Sequence, residues 1–315
     1  MLVWILFIAV IIVFLAIDLG VFNKTSHIIS NKEAAKWTSI WVIIAFLFSL
    51  VVYWIYDHGY IVNSDQLKPI DAMVKYITGY LIELSLSVDN IFVIAVIFTS
   101  FNIPQKYQHR VLFWGIVGAI IFRASMILFG VLLIKKFIWM TYVFGGFLIY
   151  TAIKMIVSKE ESSFNPKTSF VYRIIRKFIP ITSIIDGEHF IVKRKHVKAA
   201  TPLLVALIVI EFTDILFALD SIPAILAITS DSFLVFSSNI MAILGLRSMY
   251  FFLANMLKKF SLLKYSLVVI LSFVGLKLML SNYIHFPEWI SLLVISLSLT
   301  GGIVASLVFK KEEEL

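Results

Sequence analysis

Long apolar stretches recur along the whole chain, separated by shorter polar segments. Each stretch reaches or exceeds the roughly 18–20 residues that a helix needs to cross the hydrocarbon core of a bilayer. We predict nine spans, at about 1–19, 37–56, 71–101, 109–134, 137–157, 200–228, 233–257, 262–283 and 287–309. The pattern therefore predicts an all-α, polytopic membrane protein that forms a single transmembrane domain over residues 1–315.

The composition supports this class and excludes several others. Hydrophobic residues make up 61% of the chain, charged residues only 15%, and the mean hydropathy is +0.98. The chain has no cysteine, which excludes disulfides, thiolate metal sites and thiol redox chemistry. A net charge of +8 would suggest nucleic acid as a partner of a soluble protein, but membrane proteins collect Lys and Arg in their cytoplasmic loops. We expect no nucleic-acid partner.

The distribution of basic residues predicts the orientation of the chain. Of the 27 Lys and Arg residues, nineteen lie in the linkers at 21–36, 102–110, 158–199 and 258–264 and in the C-terminal tail. The alternate loops contain only four. The positive-inside rule then places the N-terminus outside and the C-terminus in the cytoplasm. We expect the protein to lie in the inner membrane of the cell. The first span lacks a basic leader and a cleavage pattern, so we interpret it as a retained helix.

The longest polar segment, 158–199, is predicted to be a cytoplasmic linker. Within it, residues 170–179 place apolar side chains on one helical face and basic side chains elsewhere, which is typical of a helix lying in the membrane interface. A helix that binds a protein partner is the alternative. Residues 189–198 alternate between apolar and basic, which favours a short hairpin.

Two spans contain acidic residues that are unusual in a membrane. The stretch 211–224 reads EFTDILFALDSIPA, and the stretch 83–90 reads ELSLSVDN. In each stretch two acids lie six residues apart and a small polar residue follows the second acid. An Asp at the centre of a membrane helix costs roughly 2.5–3.5 kcal/mol, so these carboxylates need partners, protons or bound cations.

The charged residues within the spans indicate an internal repeat. In residues 71–157, two acids six residues apart, Glu83 and Asp89, are followed within the spans by Arg123 and then Lys154. In residues 200–283, the acids Asp214 and Asp220 have the same spacing and are followed by Arg247 and then Lys277. The Arg-to-Lys spacing is 31 residues in the first set and 30 in the second. A repeat of three spans must be inverted in the membrane, which would bring both acidic stretches together near the midplane.

The residue types of these stretches suit a hard divalent cation. Carboxylate, amide and hydroxyl oxygens are the preferred ligands of Mg²⁺, Mn²⁺ and Ca²⁺, and these residue types do not distinguish among the three ions. Pro223 adds an oxygen, because it cannot bond to the carbonyl of Leu219. Zinc and copper are disfavoured, since the six His lie in loops or at span ends. The candidate metal ligands are Glu83, Asp89, Asn90, Asp214, Asp220 and Ser221.

A purely structural role for the acids is the main alternative. Buried acids in membrane proteins also pair with buried bases, and the five acids here face four cations. Arg123 and Arg247 would be static partners in that case, whereas in a transporter they and Glu211 would act as counter-ions or coupling groups. We expect Lys154 and Lys277 to extend to the membrane surface.

Four motifs resemble the TerC family of integral membrane proteins, in its Alx-like branch. They read DLGVF (18–22), ELSLSVDNIFV (83–93), TPLLVALIVIEFTDILFALDSIPAI (201–225) and SSNIMAILGLRSMYF (237–251). The resemblance implies a membrane protein linked to manganese export and to tellurium resistance. It implies that the cation is transported and that no resident cofactor is present. Membrane lipid and the metal ion are the expected partners. The sequence leaves a homo-oligomer as an alternative to a monomer.

An intramembrane enzyme and a membrane scaffold are the two alternatives to a carrier. Paired aspartates occur in intramembrane aspartyl proteases, but those enzymes carry a GxGD sequence that this chain lacks, so we do not expect an enzyme. A membrane scaffold that loads metal onto exported proteins, or that serves stress resistance, is the remaining alternative to a carrier.

Overall fold

The computed structural model describes residues 2–20, 29–63, 65–137, 139–157, 170–194, 197–253, 262–281, 283–284 and 286–308. Ten helices and a two-stranded sheet lie in these ranges, in the following order: α1 (Leu2–Gly20), α2 (Asn31–Asp57), α3 (Pro69–Ser100), α4 (Gln105–Lys136), α5 (Met140–Val157), α6 (Phe170–Phe178), β1 (Ile191–Arg194), β2 (Val197–Ala200), α7 (Pro202–Leu226), α8 (Ser232–Leu253), α9 (Leu263–Leu280) and α10 (Glu288–Val308).

The all-α membrane fold is confirmed. Eight of the described helices, α2 to α5 and α7 to α10, are long and apolar enough to cross a membrane. The first helix, α1, has a shorter apolar stretch, Leu2–Ile17, so the ninth span stays a prediction. Large apolar side chains on α1 and α2 are exposed, as expected for surfaces that contact lipid.

The helix boundaries follow from residues that favour the start of a helix. Ser30 caps α2, and its Oγ accepts a hydrogen bond from the backbone N–H of Glu33 at 3.3 Å, as in a capping box. Pro69 and Pro202 begin α3 and α7, where the missing N–H has no cost. Pro223 lies inside α7, which continues to Leu226.

The two predicted sets of three helices, α3–α5 and α7–α9, pack mainly against each other. The largest contacts between the sets join α5 with α9, α3 with α8 and α4 with α7. Exchanging the sets converts the α3–α8 pair into the α7–α4 pair and leaves α5–α9 unchanged. The contacts therefore have the pattern that a two-fold relation between the sets would produce.

Helices α3 and α7 run in opposite directions. Phe98 and Phe101, at the end of α3, share a hydrophobic cluster with Leu203 at the start of α7. Gly79, near the start of α3, faces Ile225 at the end of α7, where an added Cβ would lie 3.5 Å from Ile225 Cγ2. An inverted repeat requires this antiparallel arrangement, and the repeat itself stays a prediction.

Helix α8 forms the centre of the bundle. Its apolar stretch is 78% buried, compared with 22% for α2 and for α10. Helices α2, α3 and α4 all pack against it. The polar side chains of α8 are therefore enclosed by other helices and not by lipid.

Two glycines allow α5 and α9 to approach closely. A Cβ added to Gly275 would lie 2.9 Å from the carbonyl oxygen of Gly145, and a Cβ added to Gly145 would lie 2.8 Å from the carbonyl oxygen of Gly275. Small residues often occupy such packing positions between membrane helices. Gly146 differs, because a Cβ there would meet nothing within 4 Å.

The later part of the linker folds as predicted, whereas 158–169 lies outside the described residues. Helix α6 covers the amphipathic segment and contacts α7. Strands β1 and β2 form the antiparallel hairpin, with Lys193 opposite Lys198 in the register.

Candidate ion site in the membrane interior

A buried ionic network lies where α3, α4, α7 and α8 meet, and Arg123 is at its centre. The Arg123 side chain, on α4, is only 1% exposed. Its Nη2 donates to Asp214 Oδ1 at 2.7 Å, and its Nε donates to Asp214 Oδ2 at 3.1 Å. Its Nη1 donates to Glu83 Oε1. One guanidinium thus joins an acid from each acidic stretch, Glu83 and Asp214, and it makes two hydrogen bonds to Asp214.

The second oxygen of Glu83 is held by α8. Asn239 Nδ2 donates to Glu83 Oε2 at 2.9 Å, and Arg123 Nη1 also donates to Asn239 Oδ1 at 3.4 Å. Ser87 Oγ, one turn along α3, donates to Glu83 Oε1 at 3.5 Å. The Glu83 carboxylate is completely buried and fully hydrogen-bonded, as a charge in a low-dielectric interior must be.

The network contains more acid than base. Glu83 and Asp214 share the single positive charge of Arg123. Close to them on α7 is Glu211, whose Oε2 is buried without a hydrogen-bond partner in the described part of the chain. This carboxylate lies against Gly118 of α4, where a Cβ would overlap with it. The excess of acid favours binding of a proton or a cation.

A small cavity adjoins the network. It has a volume of about 20 Å³ and includes Asn90, Thr213 and Asp214 in its lining, together with apolar side chains. A cavity needs roughly 10–15 Å³ to hold one water molecule, so this one has room for a single small species. Asn90 and Asp214 were both predicted as ligands, and the structure brings them to the same cavity.

Ser221 supplies a second unsatisfied oxygen on α7. Its side chain is only 2% exposed, and its Oγ has no hydrogen-bond partner among the residues that the structure describes. A buried hydroxyl without a partner is costly unless an unseen water or ion satisfies it. This environment is compatible with Ser221 as a ligand, and that role stays a prediction.

Asp220 has a different environment from Asp214. Its Oδ1 accepts a hydrogen bond from Thr151 Oγ1 of α5 at 2.9 Å, and Lys154 is close enough to act on it electrostatically. Residues six apart on a helix diverge by about 120°, which explains why the two acids of α7 contact different helices. The structure places Asp220 toward α5 and Asp214 toward α4.

The predicted ligands do not form a single cluster of acids in the described residues. Within these ranges no group of three or more His, Asp or Glu residues could hold a metal ion. The backbone of Asp89 belongs to α3, but its side chain lies outside the description, so its role stays a prediction. A cation at this site would also need the amide, hydroxyl and carbonyl oxygens that the sequence suggested.

Arg247, the second arginine of the repeat, lines a different cavity from the one beside the Arg123 network. It lies on α8 with 6% exposure and lines a cavity of about 240 Å³ between α1, α2 and α8. Glu33, Trp41 and Phe14 also line that cavity. The second Arg of the repeat thus has a different environment from the first.

The prediction that Lys277 extends to the membrane surface is wrong. Its side chain is buried, and its Nζ donates to Ser291 Oγ at 2.9 Å and lies 3.4 Å from Glu288 Oε2. Lys75 of α3 contacts the other oxygen of Glu288 at 3.3 Å. These polar groups of α10 offer Lys277 a closer partner than the membrane surface.

Sequence reasoning missed three residues that the structure brings to the acids, namely Ser87, Thr151 and Asn239. Asn239 had a detectable signal, because the run of Ser237, Ser238 and Asn239 interrupts an apolar span. Thr151 had none, since a threonine in a membrane helix commonly bonds to its own backbone.

The fold and the network define a class: a polytopic membrane protein with a polar, ionic centre shared by two sets of helices. The sequence profile described as the integral membrane protein TerC family matches residues 69–314. The chain belongs to the TerC family.

The curated relatives cover nearly the whole chain. An uncharacterized membrane protein of Myxococcus xanthus is 48% identical over 97% of this chain and 92% of its own. An uncharacterized membrane protein of Rickettsia felis is 44% identical over 98% of each chain. The "Putative membrane-bound redox modulator Alx" of Escherichia coli strain K12 is 42% identical over 93% of this chain and 90% of its own. No solved structure matches the chain.

Proposed function

We propose that this protein exports a divalent metal cation, with manganese as its substrate, across the inner membrane. The observation that carries the proposal is the meeting of Glu83, from α3, and Asp214, from α7, at one guanidinium beside a small cavity. Two acids from antiparallel helices form a centre with an excess of negative charge. Transporters with inverted repeats bind their substrates at such a place.

Arg123 serves in this proposal as an internal counter-ion. While the site is empty, its charge holds Glu83 and Asp214. A divalent cation that enters the cavity would compete with the guanidinium for Asp214, with Asn90 supplying a neutral oxygen. Asp89, Asp220 and Ser221 would complete the coordination as the helices move. Carboxylates that the ion vacates would take up protons, which would couple export to proton entry.

Oxygen ligands also support manganese over softer metals. Carboxylate, amide and carbonyl oxygens suit Mg²⁺, Ca²⁺ and Mn²⁺, and among these Mn²⁺ tolerates irregular oxygen sites, whereas Mg²⁺ demands a near-ideal octahedron. The family resemblance adds manganese in particular. In the proposed orientation the N-terminus is outside and the C-terminus is cytoplasmic, so α6 and the hairpin lie on the side from which the ion enters.

The name of the Escherichia coli relative supports a second candidate, a modulator of membrane redox state. The present chain has no cysteine, so it cannot act by thiol exchange. A role in metal loading of exported proteins, or in stress resistance, remains the alternative to transport and would require partner proteins.

Purified protein in liposomes separates these candidates, because no partner protein is present. We expect uptake of Mn²⁺ in excess of Ca²⁺, Mg²⁺ and Zn²⁺ when the cytoplasmic side faces outward. Asp89→Asn and Asp220→Asn should each abolish uptake without loss of inserted protein. The matched control is Asp57→Asn, because Asp57 lies at the exposed end of α2.

The results that contradict transport are equally definite. If liposomes with wild-type protein accumulate no divalent cation above empty liposomes, the protein is not a carrier and the scaffold role is favoured. If uptake occurs and both Asn variants retain it, transport stands but the assigned ligands are wrong.

A further inference from the structure

Helix α6 lies at the level where the membrane spans end. Its Tyr172 ring packs 5.9 Å from the ring of Phe101, the residue that caps the C-terminus of α3. Ile175 is buried in the cluster that includes Leu203 at the start of α7. Since these residues mark the ends of two spans, α6 lies at the boundary between hydrocarbon and headgroups.

The surface of α6 divides into three parts. On an ideal helix Tyr172 and Ile175 share one face, and this face packs on the protein. Ile174 and Phe178 lie beside it, four residues apart, and are 40% and 75% exposed. The remaining part carries basic residues. The helix therefore has an apolar strip that the protein leaves uncovered.

Basic side chains are exposed on both α6 and the hairpin. Arg173, Arg176 and Lys177 of α6 are exposed. Lys193 and Lys198 are also exposed, and they lie directly opposite each other in the hairpin register. Like charges in such a cross-strand pair destabilise the hairpin, unless an anion lies between or near them.

We propose that α6 and the hairpin form a binding surface for anionic phospholipids of the adjacent leaflet. Ile174 and Phe178 enter the acyl region, while the basic side chains contact the headgroup phosphates. An exposed apolar strip beside basic residues, at the level of the membrane boundary, matches interfacial helices that bind anionic lipid. The inference does not depend on the transport proposal.

A single cysteine tests the contact, because the chain has no other thiol. The full-length Phe178→Cys variant is labelled with a fluorophore at the new cysteine. The labelled protein is then reconstituted into vesicles of phosphatidylcholine and phosphatidylglycerol. In matched vesicles a nitroxide quencher is placed either on phosphatidylglycerol or on phosphatidylcholine. We expect quenching at position 178 from both, with phosphatidylglycerol several-fold more effective. A label at the exposed polar residue Asp186 should respond mainly to aqueous iodide.

Charge variants test the source of the lipid preference. Arg173→Gln with Lys177→Gln should lower the preference for phosphatidylglycerol by roughly fivefold for each charge removed. The matched control is Lys68→Gln with Lys136→Gln, two exposed lysines of other loops, and it should leave the preference unchanged.

Either of two results would overturn the proposal. The first is quenching of the position 178 label by iodide as strongly as the Asp186 label, which would show that the strip faces water and is free for a protein partner. The second is equal quenching by the two nitroxide lipids, which would show that α6 inserts without selecting anionic headgroups.

Discussion

The sets α3–α5 and α7–α9 carry the same order of charges but use them differently. Arg123 of the first set joins two buried acids, whereas Arg247 of the second lines a cavity with Glu33. Lys154 acts on an acid of the opposite set, whereas Lys277 contacts Glu288 of α10. In this protein a repeated order of charges in the sequence therefore does not produce repeated contacts.

The difference has a physical cause in the helices outside the repeat. Helix α2 packs against α8 and supplies groups around Arg247, while α10 packs against α9 and supplies Glu288 to Lys277. Arg123 lies on α4, which packs mainly against α7 and α8. Its guanidinium therefore contacts the interior acids Glu83 and Asp214.

The largest expected effect comes from removing Arg123. Arg123→Gln leaves Glu83 and Asp214 buried without their shared counter-ion, which should cost about 3–5 kcal/mol of stability. Arg247→Gln leaves those two acids paired and should cost clearly less. The measurement is the yield of folded protein, and its melting temperature, in detergent. Equal losses in the two variants would contradict the asymmetry between the sets.

Replacing all three charged residues of the network with neutral residues tests whether the two acids bind the ion or only pair with Arg123. Arg123→Met with Glu83→Gln and Asp214→Asn removes all three charges together, so it should restore folded protein toward the wild-type level. If the network carries the ion, uptake of Mn²⁺ should stay absent in this variant. Recovery of both folding and uptake would mean that the acids are only partners of Arg123.

The glycine pair offers a matched comparison of intermediate size. Gly275→Ala would place a Cβ 2.9 Å from the carbonyl oxygen of Gly145 and should separate α5 from α9, at a cost of about 1–3 kcal/mol. Gly146→Ala has no neighbour within 4 Å and should be neutral or slightly stabilising. Thermal melts of the two variants provide the test. Similar melting temperatures would show that the helices do not depend on this close contact.

The sequence predicted the elements well, because hydropathy and capping act locally. Ser30 marks the start of α2 in the structure, and the alternation at 189–198 corresponds to the hairpin. The partners of charged groups were harder to predict, since they depend on which helices meet. Nothing local distinguishes Arg123 from Arg247, or shows that Thr151 will reach Asp220. Only the packing of α4 against α7 and of α5 against α7 decides these contacts.

The smallest expected effect concerns the proline that distinguishes α7 from α3. Pro223 cannot donate to the Leu219 carbonyl, so we expect that oxygen to be available beside Asp220. Pro223→Ala restores the helical bond, withdraws the oxygen and should raise the Mn²⁺ concentration for half-maximal uptake while the protein stays inserted. The matched control is Pro202→Ala, because Pro202 lies in the first turn of the same helix, where no intrahelical bond is at stake. If Pro223→Ala leaves half-saturation unchanged, the carbonyl is not a ligand. The second set would then contribute to the ion only through side chains, as the first set does, and α7 would differ from α3 in shape but not in chemistry.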